Sequence, residues 1–415
     1  MKILVTKVLP ASQKGDLAIA LSLLSALRAR FPDSEISFLC RRPTEDAHYF
    51  QAADNILPEL FPTETTRSYL HRILRLMHIL TGLGQDEVMT HFDHHCRSAD
   101  VLVFCGGGSL GGYGFGNLVL HALCPLLMAR RAGLPSCFSA ISVHDYKNRL
   151  HRLVHSAVLK KADCITVRDR RSLAVLETLD VNGVYGLTAD WAWLLPAVER
   201  REATALLASE GVPTSDEMQI GINLRSIQAV DPEKRTNRGV FDYTKAMAEV
   251  ISLLVTRTGA DVVIFSMNRP PASDDLAFAQ QVVSVLDHPL RNKVHVLKGD
   301  YNPGQIKGMI ARLSLFIGTR LHPTLFALSS MVPTLTVHDQ EKVAGLMELT
   351  GLEEWHTTVR GLEPARLVDR VIELQEKRAD IIDKLRVRVP RLRAAAHENL
   401  NYITKCTNRN LKAVS

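Results

Sequence analysis

Short apolar runs of strand length alternate with longer stretches of helical period along almost the whole chain, and no other feature restricts the fold as strongly. Residues 3–9 read as a strand, 16–30 as an amphipathic helix carrying Ile19, Leu21, Leu23, Leu24 and Leu27, and 35–40 as the next strand. Further strand-like runs stand at 101–104, 137–141, 164–167 and 183–187, with helical patterns at 118–131, 150–160 and 171–179 between them. Strands joined through helices lie parallel, because a crossover returns each strand in the same direction, and the product is a doubly wound sheet.

The pattern then stops and restarts. A polar connection follows Pro196, with Glu199, Arg200, Arg201 and Glu202 and then a 210–216 stretch holding Gly211 and Pro213. Strands are expected again at 219–223, 261–265, 293–297, 315–318 and 334–337, with helices at 243–258, 275–286 and 305–313. A chain of 415 residues exceeds what one compact core accommodates. The expectation is an α/β protein of two Rossmann-like doubly wound domains facing across a cleft, the arrangement of glycosyltransferase-B-like enzymes. The first domain takes 1–200 and the second 215–360. Charged C-terminal helices at 361–415, broken at Pro390, pack partly back on the first.

Composition narrows the class. A 46% hydrophobic and 23% charged content belongs to an ordinary globular protein. The seven cysteines are scattered singly with no CxxC pair, so reduced, buried thiols are expected. The first residues lack the layout of a leader and no long uncharged apolar segment follows, which points to the cytoplasm. A net charge of +6 suits an anionic substrate or membrane surface, and no nucleic-acid motif accompanies it. Residues 67–83 form a basic amphipathic pattern. Such a helix either packs on the first domain or lies on the inner face of an anionic membrane.

The richest chemistry follows the 315–318 strand. Gly318 and Thr319 lead to Arg320, Leu321, His322 and Pro323, then to a helical pattern. A strand, tight turn and helix start presents unpaired N–H groups and a partial positive charge. Adding a guanidinium and an imidazole gives a corner that holds an anion and moves a proton. Arg168 is placed likewise after the 164–167 strand, and Asn223 and Arg225 close the second domain's first strand. An arginine or a following Asp169 in such a position is also a common ion-pair partner or helix cap.

A second signal is the run from Gly106 to Gly114, which includes Gly107, Gly108 and Ser109 and follows the 101–104 strand. Its glycines let the backbone approach a ligand. The spacing fits neither a dinucleotide fingerprint nor a P-loop. Gly15 and Asp16 open the first helix, where Asp16 serves as a cap or orients an acceptor hydroxyl; His144 follows another strand end. His91, His94, His95 and Cys96 are poorly spaced for convergent ligation, so no metal site is assigned. Trp191 and Trp193 read as core, with stacking on a sugar the alternative.

Taken together, Gly15-Asp16, Gly106 to Leu110, Val167-Arg168-Asp169 and above all Arg320-Leu321-His322 resemble the polysaccharide pyruvyl transferase family. The last element is followed by Ala327 to Thr334 and by Lys342-Val343 to Gly351-Leu352, and the likeness spans about residues 2–352. It implies phosphoenolpyruvate as co-substrate, no resident cofactor, and a pyruvate ketal formed on a sugar of a cell-surface polysaccharide, often on a lipid carrier. It also implies that Arg168, Arg320 and His322 hold the donor. Gly107, Gly108 and Ser109 are assigned to the donor as well, and Asp16, Gly15, His144, Asn223 and Arg225 to the acceptor. The chain departs from the family at Gln13, where asparagine is usual, and at Ser139 to His144, which replaces a glycine-rich segment.

The chemistry agrees with that assignment. The donor carries a carboxylate and a phosphate, which arginines bind better than lysines. His322 is expected to be the general acid that protonates the enol methylene. Two rivals stand beside this reading: a nucleotide-sugar glycosyltransferase, with Glu341 as a ribose-binding carboxylate, and a glycan-binding protein without activity. A dinucleotide oxidoreductase lacks its fingerprint. Acceptor identity, homo-oligomer formation and any divalent-metal requirement are open at this stage.

Overall fold

The computed structural model describes residues 1–61, 69–82, 84, 86–108, 119–143, 149–179, 181, 183–214, 217–226, 242–270 and 273–413. The chain divides into two compact units, neither of them contiguous. One comprises Met1–Ala11, Asp16–Leu194 and Leu392–Ser415, and the other Ser12–Gly15 and Leu195–Arg391.

The first unit is built on a seven-stranded sheet of β1 (Lys2–Val8), β2 (Glu35–Cys40), β3 (Asn55–Pro58), β4 (Val101–Phe104), β5 (Ser136–Ile141), β6 (Cys164–Val167) and β7 (Val184–Leu187). The order is β3-β2-β1-β4-β5-β6-β7 and every pairing is parallel. Central β4 is buried along its whole length, as a strand covered by helices on both faces must be. Phe104 and Phe138 stack at 4.0 Å between neighbouring strands in this core.

Two of these strands carry a bulge at the same end of the sheet. β1 shifts register against β2 between Val5 and Val8, with Lys7 at φ +63°. β5 shifts against β6 between Phe138 and Ile141, with Ala140 at φ +52°. Bulges of this kind re-aim side chains at sheet ends and cost backbone strain.

The second unit repeats the plan with β8 (Gln219–Asn223), β9 (Asp261–Phe265), β10 (Val294–Val296), β11 (Leu315–Gly318), β12 (Thr334–Val337) and β13 (His356–Thr357), in the order β10-β9-β8-β11-β12-β13. Its helices are delimited by their sequence. Asp242 caps the Tyr243–Thr258 helix by accepting from Lys245 N at 3.2 Å, and Gly259 ends it in the left-handed region. Asn302 and Gln305 close a reciprocal capping box on the Pro303–Ile310 helix.

Three expectations need amendment. The connection after Pro196 holds a helix, Arg200–Ser209, whose Ala203 and Leu207 are buried. The short strands β3 and β13 have too few apolar residues to stand out in the sequence. The last helix, Arg378–Ala413, runs through Pro390 without ending. Pro390 and Arg386, whose carbonyl it leaves without its intrahelical donor, are both exposed residues. The C-terminal part of this helix is bound into the first unit by buried Asn399, which accepts from Thr166 and Thr188 Oγ1 and donates to the Ala189 carbonyl at 3.0 Å.

Candidate functional site

In each sheet the strand order reverses once, between β1 and β4 and between β8 and β11, and ligands bind doubly wound sheets at the carboxyl ends of such pairs. Gly15, Asp16 and Gly107 follow β1 and β4, Asn223 closes β8, and Arg225, Arg320 and His322 follow β8 and β11, whereas Arg168 follows β6, two strands beyond the first switch point.

In the second unit, β8 delivers Asn223 and Arg225 and β11 delivers Thr319 and Arg320. Asn223 is fully buried. Its Nδ2 donates to the Phe265 carbonyl at 3.0 Å, while its backbone oxygen accepts from Thr319 Oγ1 at 2.7 Å. It ties three strand ends together. Gly318 allows the sharp entry into the Leu321–Ser329 helix, since a Cβ there would meet Thr324 Oγ1 at 2.0 Å.

Arg320 donates through Nη2 to Asp275 Oδ1 at 2.6 Å and to Ser273 Oγ at 3.1 Å. Asp275 is itself fixed by the Met267 and Asn268 N–H groups at 3.1 and 3.0 Å. The Nε of Arg320 is buried and meets no hydrogen-bond partner among the described residues. Arg225, half-buried, has no carboxylate at ion-pair distance among the described residues. Burial and the Arg320 charge push it down to about 10.

His338, directly after β12, completes this group and was not singled out in the sequence. Its Nδ1 accepts from Gln340 N–H at 2.6 Å, so the ring proton belongs on Nε2. That nitrogen faces Arg225 Nη1 at 3.4 Å. Two donors thus confront each other, and an acceptor placed between them would satisfy both. Burial first, then the charges of Arg225, Lys342, His356 and Arg320, push His338 down to about 2, so it is a neutral donor at any ordinary pH.

His322 stands in the first turn of its helix, and its seat is provided by the start of the chain. A Cβ on Gly15 would lie 2.1 Å from His322 Nδ1. Only glycine leaves room for the ring. The Ser12–Gly15 segment is held there by Lys14 N donating to the Met267 carbonyl, Arg269 N donating to the Ser12 carbonyl, both at 3.0 Å, and a Lys14–Asp300 ion pair of 2.8 Å. The sequence suggested Gly15 as an acceptor contact; the structure places it against the histidine.

In the first unit, Arg168 is buried, with Nη1 bound to Asp190 and Nε donating to Ser142 Oγ at 2.7 Å. Arg168, like Arg320, is paired with a carboxylate, whereas Arg225 has none at ion-pair distance among the described residues. Asp169 caps the Arg170–Glu177 helix by accepting from Ser172 N at 2.7 Å. Gly106 packs where a Cβ would come within 2.7 Å of the Ser139 carbonyl, and Gly107 adopts φ +105° next to Asp16. Gly108 is half-buried beyond them. Ser109 and His144 lie outside the described residues. Trp191 and Trp193 are buried, Trp191 donating to Ser139 Oγ at 2.9 Å.

His91, His94, His95 and Cys96 lie on the Glu87–Ser98 helix, and among the described residues no three His, Cys, Asp or Glu side chains form a metal-binding group. The 67–83 pattern contains a helix, Tyr69–Thr81, that exposes Leu74, Met77 and Leu80 and buries Arg75 against Asp86. No helix of the described residues is long and apolar enough to cross a membrane.

A pair of doubly wound units with an arginine- and histidine-lined switch point defines a protein of glycosyltransferase-B-like fold. Solved structures agree at the level of fold. The chain superposes on a Neisseria meningitidis UDP-GlcNAc 2-epimerase bound to UDP-GlcNAc with a TM-score of 0.62, 13% identity and coverage of 98% and 100% of the two chains. The Staphylococcus aureus MnaA–UDP co-structure gives a TM-score of 0.64, 10% identity and 98% and 97% coverage. The chain belongs to the polysaccharide pyruvyl transferase family, whose model matches residues 14–337. It is also 24% identical over 388 residues to the amylovoran biosynthesis protein AmsJ of Erwinia amylovora, covering 89% of this chain and 91% of that protein.

Proposed function

We propose that the protein transfers pyruvate from phosphoenolpyruvate to a sugar destined for an exopolysaccharide, forming a cyclic ketal. The observation that carries this reading is the face-to-face placement of the Arg225 and His338 donors, 3.4 Å apart, next to Arg320 in the second unit. Of the two arginines only Arg320 has a carboxylate partner among the described residues, so the group keeps an excess of positive charge for a doubly anionic donor. The family and the AmsJ relative support the polysaccharide context.

In this reading Arg225, Arg320 and His338 hold the carboxylate and phosphate. His322 gives its proton to the C3 methylene and takes back the one surrendered by the sugar hydroxyl that adds at C2. The C2–O bond to phosphate then breaks, the leaving group staying on the arginines, and a second hydroxyl closes the ketal, its proton passing to the departing phosphate. One donor and one diol become one ketal and one phosphate. Neutralising the departing phosphate by fixed guanidinium groups is the principal contribution of the site.

The test is incubation with labelled phosphoenolpyruvate and a panel of sugar acceptors. Stoichiometric phosphate release with an acceptor mass gain of one pyruvate less one water is expected. Binding of labelled UDP-sugars with no binding of phosphoenolpyruvate would replace this reading by a glycosyltransferase. Within it, wild-type turnover by His322→Gln alongside an inactive Arg320→Ala would remove His322 as the acid.

A further inference from the structure

The switch point of the first sheet holds a charge arrangement unlike that of the second. Lys7 is 3% exposed, and its Nζ meets no hydrogen-bond partner among the described residues. It stands on the β1 bulge at φ +63°, a strained position for a residue with a side chain. Three ammonium donors are thus withdrawn from water, at a bend in the carboxyl end of the strand, beside the place where doubly wound folds bind ligands.

Its charged surroundings come from every neighbouring strand end. Asp16 on the first helix, Cys105 after β4, Arg41 after β2 and Glu59 after β3 all act on it. Glu59 is fully buried. One of its oxygens accepts from Arg41 Nε at 3.2 Å and pairs with His121 Nδ1 at 3.0 Å, while Oε1 meets no partner. Asp16 Oδ1 lies 3.2 Å from the position of a Cβ on Gly107, a half-buried carboxylate beside a glycine turn.

Two cations, Lys7 and Arg41, stand with two carboxylates, Glu59 and Asp16, and with the His121 imidazole, so this group keeps both open donors and open acceptors. An anion is poorly served by such a set. A sugar hydroxyl, which both donates and accepts, is well served.

We propose that Lys7 and Asp16 form a polyol subsite at the carboxyl end of the first sheet, where two neighbouring hydroxyls of the acceptor hexose are held. Lys7 donates to one hydroxyl oxygen and Asp16 accepts from the other. This rests on the ketal reading only for the purpose of the pair, not for its binding. Burial pushes Lys7 down to about 8, so the ammonium donor is lost on the mildly alkaline side, and sugar binding weakens there.

Saturation-transfer NMR with methyl glycosides of glucose, galactose and mannose tests the subsite on the full chain, beside equilibrium binding of phosphoenolpyruvate. At least one glycoside should bind wild type. Lys7→Met should weaken it on the order of tenfold or more, the worth of a charge-assisted hydrogen bond, and abolish its alkaline decline. Phosphoenolpyruvate binding should be unchanged, and a cooperative melt shows that the variant folds. No glycoside binding to wild type, or equal binding to Lys7→Met, overturns the subsite. If phosphoenolpyruvate binds nowhere while the glycoside still depends on Lys7, the ketal reading fails and the subsite stands. If pyruvyl transfer proceeds with an unchanged acceptor kcat/KM in Lys7→Met, the reverse holds.

Discussion

Replacing Lys7 by methionine should make the protein more stable, although the mutation is placed in a binding site. Lys7 is lowered from 10.5 to about 8 because burial disfavours the ammonium more than Glu59, Asp16 and Cys105 favour it. Below pH 8 the unfolded chain holds this proton more tightly than the folded one, so folding carries a penalty. The distance from 10.5 down to about 8 corresponds to roughly 3 kcal/mol. Between pH 8 and 10.5 the unfolded state binds more protons, and wild-type stability rises with pH; above 10.5 both states are neutral and the penalty has gone. Methionine keeps the aliphatic stem and the backbone angle, so the variant isolates the charge. Urea unfolding of both proteins at pH 7 and at pH 10.5 is the assay. The expected gain is about 3 kcal/mol at the lower pH and close to zero at the higher. Equal stability at pH 7, or a gain that does not shrink with pH, would show that the ammonium is solvated or paired, and the argument for an open donor would fall with it.

Gly15→Ala drives a methyl group into the His322 ring, whose Nδ1 would lie 2.1 Å from it. Turnover should drop about tenfold or more with an unchanged circular dichroism spectrum, and wild-type kinetics would refute the seat. Arg225→Gln should raise the KM for phosphoenolpyruvate by roughly ten- to a hundredfold, one charge-assisted contact; an unchanged KM in steady-state assays would remove it from the donor site. Asn399→Leu leaves the Thr166 and Thr188 hydroxyls and the Ala189 carbonyl without their partner. A loss of about 2–4 kcal/mol in denaturant unfolding is expected, and less than about 0.5 kcal/mol would show that the helix adds little there.

The alternation of apolar runs was enough to place most strands, because a strand buried on both faces has to be apolar throughout, as β4 and β11 are. Arg320 and His322 were legible for a related reason: polar residues directly after a buried strand have one place to go. The same signal was present at His338, immediately after β12, and would have found it. Other features depend on partners distant in sequence. Nothing near Arg168 marks Asp190 as its counter-ion, and nothing near Gly15 shows that a histidine ring packs on it. Lys7 is the hardest case. Thr6, Lys7 and Val8 read as a strand continuing to its end, and only the two-against-three register with β2 reveals the bend that buries the amine.

The discontinuity of both units sets an order of events during synthesis. Ser12–Gly15 leaves the ribosome among the first residues, yet its backbone partners Met267 and Arg269 and the imidazole of His322 emerge much later. The first sheet likewise waits for Asn399, near the end of the chain, to satisfy the ends of its sixth and seventh strands. A chain without Ser12–Gly15 therefore lacks the seat of His322. Separately expressed halves of this protein would each lack a piece encoded in the other, and a split-gene or domain-exchange experiment has to carry both pieces across.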